Sequence, residues 1–168
     1  VPTGVSLVGR FLALVVMIVG FQAAAMAGGL LIQALQGYHV FELGVYLQVV
    51  FGLKLADYLI LGALAVTIHV VVNHKNLGHM AVLLTLAAIA LAPGLLGIQH
   101  HLLRYNTAPV WIYSDMNGFG PFLEPFVWFK LYWAAWAMVL LVAAALLLPR
   151  GPETRMRRLR DARSRLAG

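Results

Sequence analysis

A chain of 168 residues that is 62% hydrophobic and only 11% charged cannot clothe a core in polar surface, which excludes an ordinary soluble domain. The net charge of +6 is mostly local. Arg150, Arg155, Arg157, Arg158, Arg160, Arg163 and Arg165 follow the last apolar run, opposed only by Glu153 and Asp161, a pattern that suits anionic lipid headgroups better than nucleic acid. There is no cysteine, so disulfides, thiolate metal sites and cysteine nucleophiles are excluded.

Several apolar runs reach the roughly 20 residues that a helix needs to cross a bilayer, and they do not alternate as the strands of a β-barrel would. The expected fold is therefore an all-α integral membrane protein. It has four transmembrane helices, a short interfacial or re-entrant helix and a structured external loop. Residues 1–149 form the membrane domain and 150–168 a basic cytoplasmic tail.

Residues 1–6, with Pro2 and Thr3, are a short lead-in. No charged, then apolar, then small-residue signal peptide precedes them, and the sequence reads as a piece of a longer polypeptide. Arg10 marks the near membrane face, and the first span is expected over 11–35. Gly20, Ala24 and Gly28 recur every four residues within it, a face on which another helix backbone can approach closely. Residues 36–39 break the helix. The segment 41–53 is short and partly amphipathic, which suits an interfacial or re-entrant helix; the alternative is that it extends the next span.

The second span is expected over 54–72. Lys54 and Asp57 stand three apart near its start, a spacing that allows an ion pair at the boundary. Residues 73–76 form a tight polar turn into a third span over 77–98, which Pro93 kinks or ends. A long external loop follows, with Asp115, Asn117 and Gly118 supplying its turn. Gly120, Pro121 and Pro125 delay the fourth span to 125–148, and Trp128, Tyr132, Trp133 and Trp136 crowd its entrance as an aromatic belt. Lys130 lies inside that belt. It either snorkels outward along its stem or pairs with Glu124, Glu42 or Asp57.

Arg10, Lys75 and the tail fall on one side of this topology, Lys54 and Arg104 on the other. By the positive-inside rule both termini are cytoplasmic and the long loop is outside.

The chain has no phosphate-loop motif, no His-Glu-x-x-His pair and no Gly-x-Ser-x-Gly elbow. Histidines on facing helices could ligate haem, but His69 and His79 flank the inner turn while His100 and His101 lie at the outer end. A metal on His100, His101 and Asp115 is disfavoured because adjacent histidines point in different directions. No cofactor, metal or catalytic group is expected.

Five runs carry a family resemblance: VPTGVSLVGRFLA at 1–13, FELGVYL at 41–47, VVNHK at 71–75, YSDMNGF at 113–119 and PFVWFKLYW at 125–133. Together they resemble the second part of a type-two ABC exporter permease, from the bacterial subgroup fused to an aminopeptidase-like domain. The first run is generic, and the last two are fairly specific. The resemblance implies half of an export pore without the first two spans of the permease unit. It implies a separate cytoplasmic ATPase, contacted near Pro2, Thr3 and Arg10, and a second permease half or a homo-oligomer. It assigns no peptidase activity to these residues. Two other readings of the spans remain, a haem-binding electron-transfer bundle and a non-catalytic anchor or assembly factor that presents its outer loop.

Overall fold

A computed structural model describes residues 3–97, 100–114 and 116–147. Pro2, Asp115 and the arginine-rich tail lie outside the described residues. Among those described, every regular element is a helix: α1 (Thr3–Leu35), α2 (Leu43–Leu47), a π-helical stretch (Gln48–Lys54), α3 (Leu55–Val72), α4 (Lys75–Leu95), one 3-10 turn (His101–Leu103) and α5 (Gly120–Leu147). Four helical runs are long and apolar enough to cross a membrane: Leu7–Leu35, Leu43–Val72, Lys75–Leu95 and Gly120–Leu147. The chain is thus a multi-pass helical membrane protein.

The segment 41–53 takes the second of its two alternatives and is the upper part of the second span, not a separate re-entrant helix. Gly52 does not stop the helix, because the backbone widens into π geometry from Gln48 to Lys54 and then returns to α. Leu55 N–H bonds the Val50 carbonyl along that widened turn, and the Gln22 side-chain amide donates to the same carbonyl from α1 at 3.0 Å. The buried Gln22 amide and the widened turn thus satisfy one another, as a polar group away from water requires.

The fourth span starts earlier than the prolines suggested. Pro121 occupies the first turn of α5, where its missing N–H has no intrahelical partner to lose. Pro125 forfeits only one bond, so the helix runs through it. In α4, Pro93 is tolerated one turn from the end, and the helix stops at Leu95.

Buried side chains form three layers. Leu7, Val70 and Ala144 bring together the start of α1, the end of α3 and the end of α5. Ile60, Ala63, Trp133 and Ala137 fill the middle. Leu53, Phe119 and Phe126 close the opposite end. This layering puts Arg10 and Lys75 at one end of the bundle and Lys54 with the long loop at the other. Helix α3 is the central element, packing on α1, α4 and α5. The Thr67 hydroxyl ties it to α5, donating to Ala63 O at 2.8 Å and lying 3.2 Å from Leu140 O.

Close helix approach occurs at glycines other than the Gly20, Ala24 and Gly28 stripe. Among the described residues no neighbouring element comes within 4 Å of where a Cβ on Gly20 or Gly28 would sit. A Cβ on Gly62 would instead meet Leu14 Cδ2 at 2.7 Å, so α1 crosses α3 there. At the α3–α4 turn, Asn73 closes α3 in the left-handed region with φ 50°, and the His74 ring accepts Leu77 N–H as an N-cap. The His69 ring lies against Gly78, where a Cβ would come within 2.8 Å of Cε1. Gly78→Ala is therefore expected to lower stability by about 1–3 kcal/mol through overpacking. His69→Ala combined with it should recover part of that loss; thermal unfolding of the four members of the cycle in detergent checks the coupling.

Candidate functional site at the loop end of the bundle

The buried face of α5 reads Phe126, Lys130, Trp133, Ala137 and Ala144, the spacing of one helix face. Four of these are apolar. Lys130 is not, yet it is only 7% exposed. A lone ammonium in such a place would be strongly destabilising, and every one of its hydrogens needs an acceptor. The structure supplies them. The Lys130 ammonium forms an ion pair with Asp57, from the first turn of α3. It donates to Asn106 O at 2.8 Å and to Asn106 Oδ1 at 2.9 Å. It also lies 5.4 Å from the centre of the Phe126 ring. Lys130 does not snorkel outward, and of its three possible acidic partners it takes Asp57; Glu42 and Glu124 are exposed at the surface.

Asn106 can offer two oxygens to one ammonium because its backbone is left-handed, with φ 60°. Asparagine is among the few residues with a side chain that adopt that region readily. Its amide nitrogen meanwhile donates to the Asp57 backbone carbonyl at 3.1 Å. The residues on either side complete the attachment. The Tyr105 hydroxyl donates to Ile60 O at 3.0 Å, and the Trp133 indole donates to Thr107 O at 2.9 Å. The Tyr105 and Trp133 rings meet edge to face, 5.0 Å between centres. Three consecutive loop residues thus stitch α3 to α5.

Lys54 does not pair with Asp57, contrary to expectation. It is exposed, and its ammonium stands 5.7 Å from the centre of the Trp111 ring. Trp111 and Tyr113 both lean on buried Phe119, with ring centres 5.4 and 5.1 Å away. Ser114 and Gly118 exchange backbone hydrogen bonds of 3.0 and 2.6 Å, and Gly118 takes φ 58°. The expected turn is present at Asn117, whose carbonyl accepts Gly120 N–H at 3.1 Å, and at Gly118. Asp115 lies outside the described residues.

Between these parts is a recess of about 410 Å³, bordered by Lys54, Asp57, Asn106, Trp111, Phe126 and Lys130. Two cations against one carboxylate leave it electropositive, with aromatic walls. The inner cation is fully committed to Asp57 and Asn106, so Lys54 at the rim is the charge free to meet a visiting group. It brings the Asp57–Lys130 pair, the exposed Lys54 ammonium and aromatic faces to a single opening.

The histidines do not converge on it. His69 and His79 touch edge to face at the far end of the bundle, ring centres 4.7 Å apart, with no room for a macrocycle between them. His100 Nδ1 accepts Leu102 N–H within its own turn. Among the described residues no group of three or more histidines and carboxylates could hold a metal ion. Of the expected coupling residues, Thr3 begins α1, Arg10 is exposed on it, and Pro2 lies outside the described residues. Comparisons with protein-family models, curated proteins and solved structures gave no match.

Two predictions follow from this geometry. Lys130→Met or Asp57→Asn alone should cost about 3 kcal/mol, because each strands the other partner. The double variant should cost less than the sum, a non-additivity that an unfolding cycle in detergent measures. Burial also pushes the Tyr105 phenol up to about 12 from 10.0. The folded state therefore holds that proton more tightly than the unfolded chain. The associated stability is complete below pH 10 and is lost as pH rises towards 12. Tyr105→Phe should flatten the fall in melting temperature across that window.

Proposed function

We propose that this chain is a membrane-spanning part of an ABC-type exporter permease of a bacterial inner membrane, moving substrate with ATP hydrolysed on a separate chain. The observation that carries this reading is where the two most specific runs of the resemblance fall. The run at 113–119 folds onto Phe119, and the run at 125–133 contributes Phe126, Lys130 and Trp133 to the buried face of α5. Both runs build one node at the loop end. A short run that serves packing and ion pairing at a single place suits a permease that must fix one end of a bundle whose other end is driven by its ATPase. The layering of the helices supports the accompanying orientation, since Arg10 and Lys75 share an end. With positive charge inside, that end is cytoplasmic and the 96–119 loop faces outward.

The whole permease assembly would contain the ATPase, a second permease half or another copy of this one, and membrane lipid. No peptidase or ATPase chemistry is assigned to the residues present.

The absence of cysteine makes the orientation directly measurable. Ser114→Cys should react with an impermeant thiol reagent on intact cells, and Asn76→Cys only after the membrane is opened. Labelling of both from the same side would overturn the topology. For the function, the native full-length protein should co-purify with an ATPase, and transport should stop when nucleotide hydrolysis is blocked. Recovery of the intact protein alone, with an activity indifferent to nucleotide, would refute the exporter reading and leave the topology standing.

A further inference from the structure

We infer that the groove between α1 and α3 seats one membrane lipid with an anionic headgroup, in the leaflet on the Arg10 side. The groove has a volume of about 560 Å³ and is bordered by Arg10, Leu14, Met17 and Phe21 of α1 and by Tyr58 and Gly62 of α3. Its length and its charge both fit that occupant.

Length comes first. The stretch of α1 from Arg10 to Phe21 covers about 16 Å of helix axis at 1.5 Å per residue. One leaflet of a bilayer core about 30 Å thick has nearly that depth. The walls are apolar along this path. At the inner end the Gln22 amide nitrogen is committed to Val50 O. Gly62 forms the floor, and Leu14 lies over it in close contact. A single acyl chain fits between Met17 and Tyr58, both of which are exposed in this chain.

Charge identifies the head. Arg10 stands at the outer mouth of the groove, exposed and without a carboxylate partner among the described residues. The described acids are remote from it: Asp57 is held by Lys130, Glu42 begins α2, and Glu124 lies in the first turns of α5, all towards the loop end. A guanidinium at the membrane boundary with no acid in reach is complemented by a phosphodiester, whose oxygens match its fork of donors. A zwitterionic lipid offers the same chain but neutralises its own phosphate. The inference rests on the multi-pass architecture and is independent of the exporter reading.

The test is native mass spectrometry of the full chain in detergent. Phosphatidylglycerol and phosphatidylcholine with identical acyl chains are supplied in equal amounts. The wild type should retain phosphatidylglycerol preferentially. Arg10→Gln should reduce that preference about fivefold, the effect of one cation near an anionic headgroup, and Arg10→Lys should retain most of it. Met17→Trp, at a position 72% exposed and so harmless to the interior, should lower retention of both lipids by filling the groove. Arg157→Gln with Arg158→Gln weakens the tail's separate attraction for anionic lipid, and Arg10→Gln should lower the preference by the same factor in that background. A preference that survives Arg10→Gln in both backgrounds would overturn the assignment of the headgroup. Undiminished binding of both lipids by Met17→Trp would overturn the groove itself.

Discussion

A lysine ammonium on the inward face of an otherwise apolar helix governs how the loop-end half of this molecule is built. Lys130 cannot be left without acceptors at 7% exposure. One carboxylate cancels its charge but leaves hydrogens unmet, and in this fold the remainder are met by a loop. That requirement explains why residues 105–107 are drawn against the helices. Asn106 adopts a left-handed backbone so that both its carbonyl and its side chain face one nitrogen. Tyr105 and Thr107, its neighbours, are then within reach of Ile60 and Trp133. The loop is long, yet at this point it is as much a part of the core as the helices are.

The same accounting of polar groups explains the second span. In the π stretch the Val50 carbonyl accepts both Leu55 N–H and the Gln22 amide of α1, using its two lone pairs. Away from these contacts and the hydroxyls of Thr67 and Tyr46, the bundle relies on small residues and shape. Ala63, Ala137 and Ala144 are nearly inaccessible, and Gly62 and Gly78 admit a neighbouring side chain directly onto backbone.

Much of the architecture could be read from the chain because a bilayer imposes length and apolarity. The number of spans, the polar turn after Val72, which is confined to 73–74 of the expected 73–76, and the unusual backbone at Gly118 all followed from local chemistry. Span boundaries were less accessible for physical reasons. Pro125 reads as a stop but costs α5 only one bond, and Gly52 reads as a break but sits in a widened turn. The ion pair was half visible. Asp57 and Lys130 were singled out because charge is rare in such segments, but helix spacing favoured Lys54 as the partner of Asp57. Asn106 had no sequence signal at all. A polar residue in a loop carries no mark of the buried cation it will meet 24 positions later. The small-residue stripe at Gly20, Ala24 and Gly28 was legible as a pattern, but spacing does not say whose backbone approaches it.

The polar contacts are unevenly shared among the helices. Helix α3 and α5 are joined by an ion pair, by the Thr67 hydroxyl and by a loop that bonds both. Helix α1 has one side-chain hydrogen bond to the π stretch and one from Tyr46 to Gln33, and it otherwise crosses α3 at a glycine. Only 6% of its best apolar window is buried, against 22% for α5. Apolar contact between helices in lipid gains little over contact with acyl chains, so hydrogen bonds and close packing decide which helices stay together. By that criterion α3, α5 and the loop form one rigid unit. Helices α1 and α4 are the elements whose position lipid or a neighbouring helix can set. Displacement of one helix at the Arg10 end while the loop end stays fixed would use that division directly.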